Sequence, residues 1–325
     1  MGQDKPVIGI LSIGEMGLGI ANLLISHGYR VASYVQDRSK RTQERAASIP
    51  IECVASLQAL VQQSTVILSI VPPKDSASTA QSILDNSPTS EKEPTYYLDL
   101  NATAPSLAKH TADLFSANGN IIYIDGGIIG GPPTPNPNPT SNSSEPQDTW
   151  TEPSLVTSGP TCLPDTEVYN HLTETLNIEH ISPTIGAASG TKLCFASMTK
   201  GFFALAIQSF VTAEKMGVAS DLRRYMERHN SATLKIAERG LVGMPPKAWR
   251  WVNEMQQIGG MMEDQGGFRR GLFEEIAEVY RVVTEDTALG LEQAENRERG
   301  MTVEDVVAVM KDGMDATRQT KEKAE

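Results

Sequence analysis

A turn with the residue types of a dinucleotide-binding site follows the first apolar run of the chain. In "VIGILSIGEMGLGIANLLISHGYRV", the run Val7–Leu11 leads into a short segment and then into an amphipathic helical pattern. A dinucleotide turn needs a tight bend, a backbone bare enough to approach the pyrophosphate, and a helix N-terminus whose N–H groups hold the phosphates. Gly14 meets the need for bare backbone, and Gly17 allows the helix to pack closely on the strand. We predict that the dinucleotide contacts Ser12, Ile13, Gly14, Glu15 and Met16.

Ser12 stands where such turns carry their first glycine. A small residue is tolerated there if its φ stays negative, so we expect a negative φ at Ser12 and a turn that still binds its ligand. The alternative interpretation is an ordinary strand-to-helix turn without a ligand. The position of the motif, between the first strand and the first helix of an α/β pattern, favours the dinucleotide site.

The residues that distinguish NAD from NADP follow the second predicted strand, in "YVQDRSKRTQERA". An acidic residue at this place accepts hydrogen bonds from the ribose hydroxyls, whereas an arginine accommodates the 2′-phosphate of NADP. Both types are present, as Asp37 and Arg38. Arg38 and Ser39 belong to a basic, hydroxyl-bearing cluster that is suited to a phosphate. The cluster favours NADP over NAD as the cofactor, although a solvated helix start also explains Lys40 and Arg41.

A lysine lies just inside a long apolar helical stretch, in "GAASGTKLCFASMTKG". Lys192 must either extend to solvent or be held in a cleft, and a cleft suits it to proton transfer. Oxidation of an alcohol by hydride transfer requires a group that takes the hydroxyl proton. The residues alone favour the alternative, a boundary lysine that pairs with a carboxylate. On a helix, Thr199 returns to the face of Lys192, whereas Lys200 points about 80° away.

The elements that would position these residues change character near Pro183. Up to that residue, short β-branched runs alternate with amphipathic stretches, which is the pattern of βαβ units in a parallel sheet. We therefore predict a Rossmann-like, doubly wound α/β domain over residues 1–183. Residues 133–154, rich in Pro, Asn, Ser and Thr, are predicted to form a flexible inserted loop. The predicted strands are Val7–Leu11, Arg30–Val35, Ile51–Val54, Thr65–Val71, Tyr96–Leu100, Ile121–Ile128, Leu155–Thr157 and Ile178–Ile181.

After Pro183, nearly the whole sequence to Met310 has a helical pattern interrupted by glycine and proline. We predict an all-helical C-terminal domain over residues 184–325. Its first helix, from about Ala187 to Met216, is apolar around most of its circumference. Such a pattern is typical of a helix buried between domains or subunits.

The composition excludes several classes of partner. A formal net charge of -12 over 325 residues disfavours nucleic acid and anionic membranes, so a small-molecule substrate is expected. The 3 cysteines and 5 histidines show no spacing of a disulfide framework or a metal site. The longest apolar segment, Phe202–Ala213, is too short to span a membrane, and no signal peptide precedes the first strand. We therefore expect a cytoplasmic protein.

Several motifs, taken in order, resemble the β-hydroxyacid dehydrogenase and 6-phosphogluconate dehydrogenase superfamily, and the resemblance covers almost the whole chain. The superfamily's Gly-x-Gly-x-Met-Gly turn stands here at residues 12–17. Its proline-containing turn after the fourth strand is matched by "SIVPP", which includes Val71 and Pro72. Its turn after the fifth strand is matched by "LDLNATAPS", which includes Asn101, and its substrate-binding segment by "DGGIIGG", residues 125–131.

The resemblance implies roles for these residues. It makes Lys192 the general acid/base, places Val71 and Pro72 near the nicotinamide, and gives Asn101 a contact with cofactor or substrate. It also implies a homodimer. The segments Thr199–Gly201 and Arg250–Met255 look most like a branch with a phosphogluconate-dehydrogenase-like C-terminal domain. The side of the site that holds the substrate is expected to contain Asn101, Gly130, Gly131, Ser197 and Thr199.

The chain departs from its resemblance at positions that decide the reaction. Authentic 6-phosphogluconate dehydrogenases place a histidine, an asparagine and an acidic residue after the lysine, where this chain has Phe195, Ala196 and Thr199. Without that acid and that amide, oxidative decarboxylation of 6-phosphogluconate is not expected. Phe195 and Ala196 instead indicate a more apolar substrate.

These observations predict an NAD(P)-dependent oxidoreductase that interconverts a small hydroxy acid or alcohol and its carbonyl form. An imine (C=N) reductase is one alternative, but imine reductases usually lack the lysine, and its presence favours carbonyl and alcohol chemistry. A second alternative is a non-catalytic NADP-binding sensor or scaffold, because Ala196 replaces the family's asparagine.

Overall fold

The computed structural model describes residues 5–87, 93–117, 120–136 and 150–322. The chain divides into two compact units, the first ending at Lys192 and the second beginning at Leu193. The predicted domain boundary at residue 183 stays a prediction.

Within the residues that the structure describes, the first unit contains ten strands, eight of which form one sheet while two form a small separate ribbon. All eight predicted strands are present, with ends that differ by no more than two residues. In chain order the strands are β1 (Val7–Leu11), β2 (Arg30–Ser33), β3 (Glu52–Cys53), β4 (Val66–Ser69), β5 (Thr95–Asp99), β6 (Ile121–Ile129), β7 (Thr134–Pro135), β8 (Trp150–Thr151), β9 (Ser154–Ser158) and β10 (Ile178–Ser182).

The strand order of the sheet is β10-β9-β6-β5-β4-β1-β2-β3. Strands β1 to β6 are parallel and have the arrangement of a dinucleotide-binding sheet, which confirms the predicted Rossmann-like fold. The last two strands differ from the predicted parallel arrangement, because β9 runs antiparallel to β6 and β10 is parallel to β9. Antiparallel neighbours such as β6 and β9 do not need the crossover that parallel pairing requires, and no helix lies among the residues described between them.

Helices cover both faces of this sheet, as expected of a doubly wound domain. Ile10 and Leu68 face a core that includes Ile20 of the first helix, whereas Ile67 faces a second core that includes Phe115. The alternation of side chains along each strand therefore divides one sheet between two cores. The helices of this unit are α1 (Glu15–Ser26), α2 (Lys40–Ala47), α3 (Leu57–Gln63), α4 (Ser76–Asp85), α5 (Pro105–Ser116) and α6 (Glu167–Thr175).

Of the predicted loop over residues 133–154, the structure describes only the two ends, because residues 137–149 lie outside the described residues. Its two ends are paired, since β7 and β8 form an antiparallel ribbon. Just before the ribbon, Pro133 packs on α1, where a Cβ on Gly19 would lie 3.0 Å from Pro133 Cδ. The ends of this segment therefore pair with each other and contact α1, and the prediction of a flexible inserted loop stays a prediction.

The second unit is helical, as predicted. The helix α7 (Ala187–Lys215) begins in the first unit, and α8 (Ala219–Gly243) follows it with a break in helical geometry at Asn230. The remaining helices are α9 (Ala248–Asp264), α10 (Gly271–Glu285) and α11 (Val303–Glu322). Predicted as Ala187 to Met216, α7 is confirmed to within one residue, but one of its faces is exposed: Met198 is 78% accessible and Leu205 55%.

Within the described residues, α7 is long and apolar enough to cross a membrane, with a mean hydropathy of 1.3 over its most apolar 18 residues. The expectation that the longest apolar segment is too short is therefore wrong about length. The helix continues past Lys200, which pairs with Glu254 inside the second unit. The core helix of a soluble protein has the same length and composition, so the finding does not indicate a membrane span.

Candidate functional site

The turn after β1 contains a serine in a backbone conformation that favours glycine. Ser12 has a φ of 79°, so the expected negative φ is wrong. The bend brings Ser12 onto the start of α1, where a Cβ on Gly17 would lie 2.2 Å from the Ser12 carbonyl oxygen. The turn therefore keeps the glycine-type bend although it has lost the glycine.

Replacing Ser12 by glycine should stabilise the protein. A non-glycine residue in the left-handed region strains the folded backbone by about 1–2 kcal/mol, which glycine would relieve. Glycine also has more conformational freedom in the unfolded chain, and this cancels about 0.5–1 kcal/mol of the gain. We expect Ser12→Gly to raise the free energy of unfolding by about 0.5–1 kcal/mol. Urea unfolding measures the change. Ser12→Ala keeps the Cβ and serves as the control, and an equal gain in both variants would contradict the strain.

The N-terminus of α1 has the features of a phosphate-binding site. Gly14 caps the helix without a side chain, and a Cβ at this position would meet no atom within 4 Å. The first intrahelical hydrogen bond runs from Leu18 N to the Gly14 oxygen, so the N–H groups before Leu18 have no acceptor within α1. Glu15 and Met16 begin the helix, while the Ile13 side chain is buried in the core and leaves only its backbone for a ligand. The residues present fit a dinucleotide pyrophosphate.

The residues predicted to select NADP form the start of α2. Arg38 Nε lies 3.4 Å from Asp37 Oδ1, so the two residues that favour different cofactors pair with each other. The Ser39 side chain caps α2 by accepting from Thr42 N at 3.4 Å. Gln43 Nε2 donates to the Arg38 carbonyl at 2.9 Å and fixes the backbone of this corner. The sequence could not show that Asp37 engages Arg38.

The carboxyl ends of β4 and β5 are joined through one buried amide. Asn101 Oδ1 accepts from Val71 N at 2.7 Å, and its Nδ2 donates to Ser69 Oγ at 2.9 Å and to Asp99 Oδ1 at 2.6 Å. Pro72 follows directly and is half-buried. Because the Asn101 amide is 2% exposed and engaged on both sides, the structure gives it the role of a clamp. Its predicted contact with cofactor or substrate stays a prediction.

Asp99 lies beneath this clamp and is completely surrounded by protein. Its Oδ2 accepts from Tyr123 Oη at 3.2 Å and from Ser76 Oγ at 3.4 Å, in addition to the bonds from Asn101. Burial raises the pKa of Asp99 from 3.8 to about 6, the hydrogen bonds from Asn101 oppose that shift, and the nearby charge of Asp125 adds to it. The sequence analysis did not single out Asp99, although the Asp-x-Asn turn that carries it was recognised.

This carboxyl should make the stability of the protein depend on pH. Because the pKa of Asp99 is higher in the folded protein, the folded state binds more protons between pH 3.8 and about 6. The stabilising contribution is complete below pH 3.8 and is lost as pH rises through about 6. Across this pH range, the free energy of unfolding of Asp99→Asn should fall by about 3 kcal/mol less than that of the unaltered protein. The exposed Asp85→Asn is the control, and equal profiles for Asp99→Asn and the unaltered protein would contradict the assignment.

Asp125 anchors the start of α7 to the sheet. Its carboxylate accepts from Ser158 Oγ at 2.7 Å and from Gly186 N at 2.9 Å, and also from both the N–H and the hydroxyl of Ser189. A carboxylate at a helix N-terminus satisfies N–H groups that have no partner within the helix. Asp125 therefore fixes the first turn of α7 at the junction of β6 and β9. The sequence showed Asp125 only as the first residue of "DGGIIGG".

Lys192 lies one turn further along α7, with its aliphatic stem against β6. A Cβ on Gly127 would lie 2.7 Å from Lys192 Cβ and 3.1 Å from its Cγ, so any larger residue at this position would displace the lysine. Strands β5 and β6 are in register at Asp99 and Asp125, so Gly127 lies two residues past this pair, level with Asn101. Half-buried Lys192 therefore stands at the same carboxyl edge of the sheet as the Ser12 turn and the Asn101 clamp.

The remaining predicted substrate residues lie in two places. Gly130 and Gly131 are exposed at the end of β6, and Gly130 has a φ of 124°. Ser197 and Thr199 belong to the second unit, where their hydroxyls donate to the carbonyls of Cys194 and Phe195 at 2.7 and 3.1 Å. Contact of these four residues with a substrate stays a prediction.

A buried ion pair in the second unit was not predicted. Lys200 Nζ pairs with the Glu254 carboxylate, and the two side chains are 15% and 6% exposed. The ammonium also lies 5.3 Å from the centre of the Trp251 ring, and Tyr280 Oη donates to the Lys200 carbonyl at 2.5 Å. Burial raises the pKa of Tyr280, and the charge of Glu254 adds to the shift. The resemblance singled out both segments, but spacing along the chain gives no sign that residues 54 positions apart make contact.

Comparison with solved structures shows the same fold in several proteins of low sequence identity. A conserved hypothetical protein from Sinorhizobium meliloti 1021 is 19% identical, with a TM-score of 0.58, and the match covers 96% of this chain and 97% of that one. The 3-hydroxyisobutyrate dehydrogenase of Mycobacterium tuberculosis is 15% identical, with a TM-score of 0.61 and coverage of 94% and 98%. A reductive aminase from Aspergillus terreus, solved with NADPH and ethyl levulinate, is 17% identical, with a TM-score of 0.54 and coverage of 94% and 99%.

Comparison with protein families assigns both parts of the chain, whereas no curated protein matches it. Residues 213–283 match a domain of unknown function, DUF1932. Residues 7–138, which include the Ser12 turn and the Asn101 clamp, match the NAD binding domain of 6-phosphogluconate dehydrogenase. The chain therefore combines a segment that matches this NAD binding domain with a segment that matches DUF1932, on a fold that it shares with proteins such as the 3-hydroxyisobutyrate dehydrogenase of Mycobacterium tuberculosis.

Proposed function

We propose that this protein is an NADP-preferring oxidoreductase that interconverts a small hydroxy acid or alcohol and its carbonyl form. The observation that carries the proposal is the placement of Lys192. Its stem packs on Gly127 at the carboxyl edge of the sheet, where the Ser12 turn and Asn101 also lie. In a doubly wound sheet this edge is where ligands bind.

The nicotinamide, when bound, supplies or accepts the hydride. The chain has to move the accompanying proton, and the role proposed for Lys192 is to take it from the substrate hydroxyl or to return it to the carbonyl oxygen. Asp125 holds the first turn of α7, and Gly127 leaves room for the lysine stem, so both act as positioning residues. The Asn101 clamp holds Val71 and the turn after β4 in place.

The start of α2 supports NADP over NAD. The ion pair between Arg38 and Asp37 is partly exposed at 36% and 54% and is therefore weak, so a phosphate can displace the carboxylate from the guanidinium. Ser39 adds a hydroxyl and a helix N-terminus at the same corner. The structurally similar reductive aminase was solved in complex with NADPH, and a structurally similar imine reductase from Myxococcus stipitatus in complex with NADP+.

Reduction of a C=N bond is the second candidate. Phe195, which takes the place of the family's histidine, is 46% exposed and offers an apolar surface that suits an imine with alkyl substituents. A protonated Lys192 would serve as the acid in that reaction as well. Carbonyl and imine substrates therefore have to be compared directly.

Thermal unfolding with NADPH or NADH tests the cofactor assignment, because a ligand of the native state raises the unfolding temperature. We expect a larger rise with NADPH than with NADH, and we expect Arg38→Ala to remove the difference. Arg30→Ala, whose ion pair with Glu52 lies at the start of β2, is the matched control and should change neither rise. If neither dinucleotide raises the unfolding temperature, the proposed function is wrong.

A screen of NADPH consumption tests the reaction. Small aldehydes, keto acids and imines are offered in the reductive direction, and hydroxy acids with NADP+ in the oxidative direction. Turnover of a carbonyl or hydroxy acid supports the proposal. Turnover of imines alone would replace it with the C=N reductase.

A further inference from the structure

Asp99 is a buried carboxylate whose hydrogen-bond donors carry no positive charge. The residue is 2% exposed. Its Oδ1 accepts from Asn101 N at 3.3 Å and from Asn101 Nδ2 at 2.6 Å, and its Oδ2 accepts from the hydroxyls of Tyr123 and Ser76 at 3.2 and 3.4 Å. All four donors are neutral groups. A charge removed from water is costly unless a counter-charge lies near it, and shifted carboxyl groups of this kind are concentrated where ligands bind.

Asp125, the second buried carboxylate at this edge, has a compensating partner. It lies level with Asp99 on β6, but it accepts from Gly186 N and Ser189 N at the start of α7. The N-terminus of a helix carries a partial positive charge, which offsets the charge of a carboxylate placed there. Among its contacts in the described residues, Asp99 receives from a helix only the hydroxyl of Ser76. Of the two carboxylates, Asp99 is therefore the one that a cationic ligand would complement.

The strand order places Asp99 on the side of the cofactor site where the nicotinamide half is expected. Strand β2, which leads to Arg38, lies on one side of β1, whereas β4 and β5 lie on the other. A dinucleotide with its pyrophosphate at the start of α1 and its adenosine beyond β2 extends its other half over the carboxyl ends of β4 and β5. Asp99 is the last residue of β5, and the Asn101 amide joins it to Val71, which follows β4.

We propose that the carboxylate of Asp99 makes this site prefer the oxidised over the reduced form of the dinucleotide. This inference rests on the proposed function, because it requires a nicotinamide cofactor. An oxidised nicotinamide ring carries a positive charge and a reduced ring carries none, so a buried carboxylate nearby attracts only the oxidised form. The two forms share their phosphates and adenosine, so contacts with the Ser12 turn and Arg38 cancel in the comparison. Asp99 acts through its charge, from behind the Asn101 amide, and does not have to touch the ring.

Asp99 carries this charge at neutral pH although it is buried. Burial raises the pKa of Asp99 to about 6, and the hydrogen bonds from Asn101 oppose that rise. In the described residues, the titratable groups that face Asp99 are Tyr97 from β5, and Tyr123 and Asp125 from β6. Burial raises the pKa of both tyrosines well above their ordinary value, so they stay neutral while Asp99 titrates. The preference for the oxidised form is therefore expected above about pH 6 and should be lost below it.

Binding of the two forms to Asp99→Asn tests the proposal without turnover. Asparagine has nearly the shape of aspartate, and its amide can donate to the hydroxyls of Tyr123 and Ser76, so the Asn101 clamp should persist. Dissociation constants are measured by calorimetric titration for NADP+ and NADPH, or for NAD+ and NADH if that pair binds more tightly.

The measured quantity is the dissociation constant of the oxidised form divided by that of the reduced form. Two charges about 10 Å apart, at an effective dielectric constant of about 20, change an affinity roughly tenfold. We therefore expect Asp99→Asn to raise this ratio roughly tenfold at about pH 8. Asp85→Asn removes an exposed carboxylate from α4 and is the matched control, which should leave the ratio unchanged.

The pH dependence of the unaltered protein is a second readout, which remains available if Asp99→Asn does not fold. Lowering the pH from about 8 to about 5 protonates Asp99 and should raise the same ratio several-fold. The 2′-phosphate titrates alike in both forms of the cofactor and cancels. In Asp99→Asn the ratio should stay nearly constant. Because Asp125 and Lys192 are present in both proteins, the difference between the two pH profiles belongs to Asp99.

A ratio that Asp99→Asn leaves unchanged would overturn the proposal, even if both affinities fall together, because an equal loss is what a purely structural role predicts. A ratio in the unaltered protein that is the same at both pH values would also overturn it. In either case the dinucleotide still binds and the proposed function stands. If the unaltered protein binds neither form of either dinucleotide, the proposed function fails, and this inference fails with it.

Discussion

Replacing Lys192 by alanine is expected to lower kcat by about 10²–10⁴-fold, the usual contribution of a general acid or base. The cofactor should still raise the unfolding temperature of the variant as it does for the unaltered protein, because Lys192 is proposed to act on the substrate, whereas the pyrophosphate and the 2′-phosphate are expected at the Ser12 turn and the start of α2. Turnover is measured on whichever carbonyl, imine or hydroxy acid the NADPH screen identifies.

Two further variants separate proton transfer from packing. Lys192→Arg keeps a cation and a long stem against Gly127 but cannot release its proton near neutral pH, so it should be nearly as slow as alanine. Lys109→Ala, an exposed lysine on α5, should retain full activity. Full turnover by Lys192→Ala would contradict the acid/base role and leave Lys192 as the structural lysine that the residues alone favoured.

Replacing Glu254 by alanine is expected to destabilise the protein by about 3–5 kcal/mol, because it leaves the Lys200 ammonium buried without this carboxylate. The Lys200 and Glu254 side chains are only 15% and 6% exposed, so the ammonium would remain largely removed from solvent. The change in the free energy of unfolding is measured in urea.

The double variant Lys200→Met with Glu254→Met should recover most of this loss, because it removes both charges and keeps apolar volume beside Trp251. Asp315→Asn breaks the exposed pair with Lys215, 47% and 35% accessible, and should cost less than about 1 kcal/mol. Equal losses of the free energy of unfolding in Glu254→Ala and Asp315→Asn would contradict the expectation that breaking the buried pair costs more than breaking an exposed one.

The features that sequence analysis predicted are those encoded by nearby residues. The alternation of β-branched and amphipathic segments predicted all eight strands of the sheet, and the long apolar helical pattern after Pro183 predicted α7. Lys192 lies beside Gly127, which belongs to the segment 125–131 that the resemblance matches to the substrate-binding segment, and the roles of both stay predictions. Order and spacing along the chain were sufficient for these features because each depends on local backbone geometry.

The features that it missed depend on contacts across the fold. The antiparallel direction of β9 is a property of its pairing with β6, and the hydrophobic periodicity of the sequence does not reveal it. The pairing of Lys200 with Glu254 joins helices that are distant in sequence. The sign of φ at Ser12 depends on the close approach of Gly17 to its carbonyl, so residue type alone predicted it wrongly.

The left-handed backbone of Ser12 has a consequence for how long a cofactor remains bound. A glycine in this turn has no preference between the bent and an opened conformation, whereas a serine gains about 1–2 kcal/mol each time φ turns negative. We expect an opened turn, in which φ of Ser12 is negative, to compete with the bent form that presents the N-terminus of α1. Each kcal/mol that favours the opened turn would reduce the affinity for the dinucleotide about fivefold. We therefore expect a bound dinucleotide to be released faster from this protein than from a Ser12→Gly variant, which stopped-flow measurement of the release rate checks.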